Sequence, residues 1–304
     1  MTPKENKEFQ ENMEGTLEGI GAELTMRDQV LTIVSPIKNS PAQKAGIEPE
    51  DIIYKINGEL ASDFTLEQAV KKIRGPKGTS VTLTLIRKGH EEPFEISIMR
   101  NTITIASVDW ELKEDFAYIS INQFGNHLQE EWNETISQVL AKHPKGIILD
   151  VRFNGGGFLD GAVDIASAFI EKGLIVSIKK RNPEENEEIY ATGKARLGAL
   201  PLVVLINKGS ASASEIVAGA IQDLKRGFLI GENSFGKGTV QEVVNLIGGS
   251  SLRVTIAKWY TPANRNITET GITPDLVIKR STEDFEKDRD PQLEAALEHL
   301  KKGN

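Results

Sequence analysis

The sequence predicts a mixed α/β fold in two parts: a small β-rich module with two helices, then an α/β core whose C-terminal β region is partly antiparallel. Three observations carry this. Between Gly15 and Arg100, short β-branched runs are separated by glycine and proline turns, with two helical stretches. From Thr102, longer apolar runs alternate with helical spacing, the pattern of mostly parallel strands joined by crossover helices. Beyond Val240 the helical spacing stops, and β-like runs follow one another before a last helix. A length of 304 residues fits about two domains. The boundaries are read as a lead-in over 1–14, the β-rich module over 15–100 and the core over 101–304.

Each element has a local reason. Residues 1–14 are charged, polar and of helical character, and they are not a signal peptide. If the natural protein is exported, its signal is therefore absent from this chain. Residues 30–34 are β-branched and strand-like. Ser40, Pro41 and Gly46 stand as N-cap, first helical residue and C-cap of a short helix. Residues 51–56 form a strand that ends in the hairpin signal Asn57-Gly58. Residues 65–73 are amphipathic, with Leu66, Ala69, Val70 and Ile73 on one face. A turn at 75–78 leads to closing strands at 81–86 and 94–98. In the core, strands are expected at 117–121, 146–151, 175–179, 202–206 and 228–230, and helices at 128–140, 160–170 and 215–224. The charged stretch 181–188 reads as a solvated, mobile loop. Residues 243–247, 251–256 and 258–261 read as antiparallel strands, and 291–300 as the closing helix.

Composition narrows the chemistry. Hydrophobic content of 39% and charged content of 26% are ordinary for a globular protein. A net charge of −8 argues against a general nucleic-acid surface. The absence of cysteine excludes disulfides, thiolate-bound zinc and a thiol nucleophile. No apolar run is long enough to span a membrane, and no metal or cofactor is expected.

Three stretches compete as sites. Residues 231–239 nearly match a phosphate loop, but Gly238 stands where a Mg²⁺-binding hydroxyl belongs, and the chain continues toward strands instead of a helix. The glycines 155–157 follow a buried strand, which suits either close backbone approach to a ligand or a plain tight connection. Ser210, Ser212 and Ser214 lie between a buried strand and a helix start, where free N–H groups could meet an oxyanion. Most such runs are only capped helix starts. A serine nucleophile needs a base. His90, His127, His143 and His299 do not follow buried strands, which leaves a lysine kept neutral by desolvation or a positive neighbour. Lys237, between glycines after an apolar strand, is placed for that. Spacing alone neither fixes the lysine nor chooses among the three serines.

Two resemblances go further. Ser40-Pro41-Ala42-Gln43-Lys44-Ala45-Gly46-Ile47, Glu50-Asp51-Ile52-Ile53 and Ile56-Asn57-Gly58 resemble a PDZ domain in the circularly permuted form of bacterial proteases. This implies strand addition of an extended C-terminal peptide, with backbone N–H groups of a glycine loop holding its carboxylate. Leu17, Glu18, Gly19, Ile20 and Gly21 match that loop. The stretches 150–157, 210–216 and 235–241, with Thr261-Pro262, Gly271-Ile272-Thr273-Pro274-Asp275 and Asp290-Pro291-Gln292-Leu293-Glu294, resemble a carboxyl-terminal processing peptidase, or tail-specific protease. That family consists of PDZ-containing serine proteases, and the match covers nearly the whole chain. It departs at Gly155, where proline is usual.

The resemblance implies a serine endopeptidase with a Ser-Lys dyad that cuts proteins near or from their C-terminus. Ser212 would be the nucleophile, Lys237 the general base, and Gln241 the residue that orients the lysine amine. The oxyanion hole would use the N–H of Ala213 and one from the triplet, Gly156 with Gly157 beside it. The PDZ module would recognise the substrate C-terminus and gate the site. The expected partners are unfolded or flexible C-terminal tails, with room for an activator or adaptor protein and with no nucleic acid. The expected location is extracytoplasmic, in the periplasm or cell envelope, and the oligomeric state is open. Two rivals remain: a non-catalytic PDZ scaffold that keeps the fold, and a nucleotide-binding α/β protein.

Overall fold

A computed structural model describes residues 1–27, 29–37, 39–287 and 289–303. The chain divides into two units, Thr16–Ile105 and a discontinuous one made of Met1–Gly15 with Ala106–Asn304.

In the smaller unit, five antiparallel strands lie in the order Ala22–Arg27, Val30–Pro36, Ile52–Ile56, Ser80–Ile86, Phe94–Met99, with Glu59–Leu60 paired to the middle one. Val81, Leu83 and Leu85 alternate inward and are fully buried with Ile33, Ile53 and Ile56, the period of two that a one-faced sheet requires. Helices Pro41–Lys44 and Leu66–Ile73 have the expected caps: Ser40 accepts from the Gln43 N–H, and Thr65 forms a reciprocal box with Gln68. Strand Thr16–Gly19 pairs with Asn101–Thr104. That pairing carries the unit to Ile105, past the boundary expected at Arg100. The second strand was hidden because only Ile103 in it is buried.

In the larger unit, five parallel strands lie in the order Leu276–Val277, Phe228–Gly231, Leu202–Ile206, Ile147–Asp150, Phe116–Ile121, and Val108–Lys113 closes the edge antiparallel. Strands 147–150 and 202–206 are buried on both faces, which explains their continuous apolar runs. Helices Leu128–Leu140, Leu159–Ser167 and Ala213–Asp223 cover the face that carries Ile147, Leu149, Leu202 and Val204. Helix Pro291–Lys301 covers the other, through Ala296 and Leu300 on Ile148, Val203 and Leu205. Among the described residues no helix is long and apolar enough to cross a membrane.

A second, antiparallel sheet has the order Glu187–Tyr190, Leu174–Lys180, Ser251–Tyr260, Thr239–Asn245. It corrects two expectations. Residues 181–188 are not simply a loop: after a turn at Pro183–Glu185 the chain returns as a strand, with Glu187 opposite Ile178 and Glu188 opposite Ser177. The three runs at 243–261 are two strands joined by a tight turn, and one of them begins at Thr239. The lead-in forms helix Pro3–Met13 and belongs to this unit. Asn6 donates to the Gly249 carbonyl and accepts from the Ser251 hydroxyl, and Phe9 lies under the Arg253 guanidinium, 4.4 Å from its ring centroid.

Candidate active site

The strand Leu202–Ile206 ends in a turn that Asn207 organises. Its Oδ1 accepts the N–H groups of Gly209 and Phe153, each at 2.9 Å, which ties this turn to the glycine loop. The three serines then separate. Ser210 is fully buried and donates to the Val151 carbonyl, and Ser214 is fully buried and donates to the Asn154 carbonyl. Ser212 alone is partly exposed. It sits just before helix Ala213–Asp223 with φ +54° and ψ −113°. A non-glycine residue in such a conformation stores about 1–3 kcal/mol, and this strain is typical of functional sites.

The glycine triplet reaches this serine from the neighbouring strand. Buried Asn154 donates to the Ile121 carbonyl and accepts the Gly156 N–H at 2.8 Å. The Ala211 N–H in turn donates to the Asn154 carbonyl. Gly156 has φ +96°, and a methyl on it would stand 2.8 Å from Ser212 Cβ and 2.9 Å from the Ala213 nitrogen. Among the described residues the N–H groups of Ala213 and Gly157 have no hydrogen-bond partner. The Gly156 N–H is given to Asn154, so what Gly156 supplies here is space against the serine. A methyl there would press on Ser212 Cβ and the Ala213 nitrogen, so Gly156→Ala is expected to lower kcat by about 100-fold, as a misplacement of about 1 Å in a site does. Steady-state cleavage of a tailed peptide measures this, and a fall of less than threefold would show that the close approach is unimportant.

The lysine reaches the serine through a carboxylate. Glu215 is fully buried one turn into the serine helix. Its Oε2 accepts the N–H groups of Ser212 at 2.8 Å and Lys237 at 3.0 Å. Its Oε1 accepts the Ser234 hydroxyl and the Gly236 N–H, each at 2.6 Å. One side chain thus fixes the backbone of the predicted nucleophile to that of the predicted base. The Lys237 amine is half-buried, and burial pushes its pKa down; the Arg253 cation adds to this and Glu215 opposes it. No hydrogen bond joins Ser212 Oγ to Lys237 Nζ among the described residues. Gln241 is exposed on the edge strand Thr239–Asn245, opposite Thr255, with no side-chain hydrogen bond among the described residues. The near match to a phosphate loop is explained here: its amides cradle a carboxylate of the protein itself, and the chain continues into a strand.

Two further motifs find their places. Arg152 forks onto Asp150 at 2.6 Å and Asp290 at 2.8 Å, and Tyr118 donates to Asp150 at 2.6 Å. This pins the start of the last helix to the strand that feeds the triplet. Burial and Asp150 push the Tyr118 phenol up; burial works against the Asp290 carboxylate, but Arg152 outweighs it and holds that group low. In the smaller unit, Leu17, Glu18 and Gly19 lie in strand Thr16–Gly19, and Ile20 is buried. Gly21, at φ +73°, accepts the Ser40 hydroxyl on its carbonyl. The stretch leads into Ala22–Arg27, an edge strand that packs beside helix Leu66–Ile73. Among the described residues no cluster of acidic or imidazole side chains is placed to hold a metal ion.

Asn154, Asn207 and Glu215 are the site residues that sequence reasoning missed. For Glu215 a signal existed, the Ser-x-x-Glu spacing of a capping box. For the two asparagines the partners lie 33 and 54 residues away.

A parallel sheet that presents a strained serine at a helix start, beside free amides and a half-buried lysine, has the layout of a serine hydrolase. Residues 115–278 match peptidase family S41 and residues 32–87 match the PDZ domain. The chain belongs to peptidase family S41. It is 41% identical over 288 residues to a carboxy-terminal-processing protease of Bartonella bacilliformis, covering 92% of this chain and 65% of that protein. It is 38% identical over 279 residues to the carboxy-terminal processing protease CtpB of Bacillus subtilis, covering 90% of this chain and 58% of that one. The solved structure of a photosystem II D1 C-terminal processing protease is similar to it with a TM-score of 0.55 at 28% identity, covering 87% of this chain and 73% of that one. The chain spans from 56% to 65% of the length of these curated relatives and others like them. The mixed α/β fold with a PDZ module is as the sequence predicts.

Proposed function

We propose that the protein is a serine endopeptidase that shortens proteins from or near a flexible C-terminus. The observation that carries this is Glu215, which holds the strained Ser212 and the half-buried Lys237 on one buried carboxylate. Lys237, as the neutral amine, takes the Ser212 proton while Oγ attacks the scissile carbonyl. The Ala213 N–H and the glycine triplet stabilise the oxyanion at the positive end of the helix. The lysine ammonium then protonates the leaving amine. An acyl-enzyme remains, which water hydrolyses by the same proton path in reverse. Gln241 orients the lysine amine when substrate is bound. The PDZ unit adds the substrate tail along Ala22–Arg27, takes its carboxylate on the amides of Leu17 to Gly21, and so gates the site. An extracytoplasmic location goes with this reading, and an activator or adaptor protein fits it.

A serine-reactive fluorophosphonate is expected to label Ser212, located by peptide mass. A substrate ending in a free carboxylate is expected to be cut roughly tenfold faster at low concentration than its amidated twin, the worth of a charged hydrogen bond. No labelling and no cleavage would leave a peptide-binding scaffold. Equal rates for the two substrates would end the carboxylate-capture part alone.

A further inference from the structure

Phe153 is held in a conformation that bulky residues rarely adopt, and it is not held there by burial. Its φ is +58°, the left-handed region that costs any branched or aromatic residue. Its N–H donates to Asn207 Oδ1, and Gly209 lies so near that a methyl there would stand 2.7 Å from Phe153 Cα. Yet the residue is 65% exposed. Its ring meets the edge of Phe285, at 6.2 Å between centroids, and Phe285 is itself 46% exposed.

A second aromatic residue stands on the lysine loop. Phe235 is 64% exposed and directly precedes Gly236 and Lys237. Its N–H donates to the Ser210 carbonyl at 3.0 Å. Both residues are therefore anchored on the one turn, Asn207 to Ser210, that delivers Ser212. One leads into the glycine triplet and the other into the lysine. Neither belongs to a buried cluster, so core packing does not account for them. Strain accepted in order to show a ring to solvent beside a reactive group is a mark of ligand contact.

We infer that Phe153 and Phe235 are specificity-determining residues: two apolar shelves flanking the serine turn that receive apolar side chains of an extended polypeptide next to the scissile bond. This rests on Ser212 as the nucleophile. An apolar contact of this size separates an apolar from a polar substrate residue by roughly 10- to 100-fold.

The test uses the full chain, Phe153→Asn and Phe235→Ala, and peptides carrying Leu or Ser on either side of the scissile bond. Asparagine tolerates φ above zero, so Phe153→Asn is expected to raise Tm by about 2–4 °C. At the same time its Leu-over-Ser preference in kcat/KM should fall roughly tenfold. Phe235→Ala should lower the preference by a similar factor, at the other side of the bond. Fluorophosphonate labelling, which needs no side-chain selection, reports whether the nucleophile is intact. Preferences unchanged in both variants, or Leu and Ser peptides slowed equally, would overturn the inference. Cleavage of the same peptides by Ser212→Ala would instead remove the reading beneath it.

Discussion

Ser212→Ala is expected to lower kcat on a flexible-tailed substrate by about 10⁴- to 10⁶-fold, and Lys237→Ala by a similar factor. The two residues act as a unit, so the double variant should be little worse than either alone. Lys237→Arg should not rescue, because a guanidinium does not give up its proton near neutral pH. The pH dependence follows from the same geometry. The base must be uncharged, so the rate rises with pH, roughly tenfold per unit, until Lys237 has lost its proton. Burial, with the Arg253 cation beside it, places that midpoint below the range of an exposed lysine. Arg253→Gln removes the positive neighbour and should move the midpoint upward. Cleavage by Ser212→Ala at more than a hundredth of the wild-type rate, or a midpoint at or above that of free lysine, would remove the dyad.

Glu215→Ala is expected to destabilise the larger unit by about 3–5 kcal/mol, because it leaves buried donors without an acceptor. Ser212, Gly236, Lys237 and Ser234 all donate to this carboxylate. Glu215→Gln keeps the shape but replaces one oxygen with an NH₂ group. In either amide orientation that group faces two donors. The Ser234 hydroxyl already accepts the Ile272 N–H, which limits how it can turn. The glutamine variant should therefore lie between wild type and alanine in stability. Its activity should fall further than its stability implies, since Ser212 and Lys237 share the lost oxygen in one of the two orientations. Urea unfolding and steady-state cleavage of both variants measure this. A loss under about 1 kcal/mol for alanine would show that the donors find other partners.

How much of this could be read beforehand depended on whether the signal was local. Strands 147–150 and 202–206 were visible because burial on both faces demands unbroken apolar runs. Asn101–Thr104 was not, because it buries Ile103 alone; Ala22–Arg27 and Val108–Lys113 were passed over although Ala22, Leu24 and Met26, and Val108, Trp110 and Leu112, alternate with polar residues as a one-faced strand requires. The helix at 282–286 was missed because it is a single capped turn. Among the three serines, Ser210 and Ser214 differ from Ser212 in their hydroxyl partners Val151 and Asn154, just past the neighbouring strand and 59 and 60 residues away. The family resemblance supplied that choice in sequence. In the structure, two of the serines are buried and bonded and one is strained and partly exposed. Gln241 has no such anchoring in the structure, so its role still stands on the resemblance.

The division of the chain sets an order of assembly. Thr16–Ile105 is contiguous, so every residue of its sheets is present once Ile105 has been added. The other unit joins Met1–Gly15 to Ala106–Asn304. Asn6 finds its partners at Gly249 and Ser251, and Phe9 finds Arg253. At roughly 5–20 residues per second, translation delivers those partners some tens of seconds after the helix Pro3–Met13. Arg253 is also the cation that lowers the Lys237 pKa. A nascent chain thus carries the whole of Thr16–Ile105 well before Lys237 and its charged neighbour Arg253 have been added.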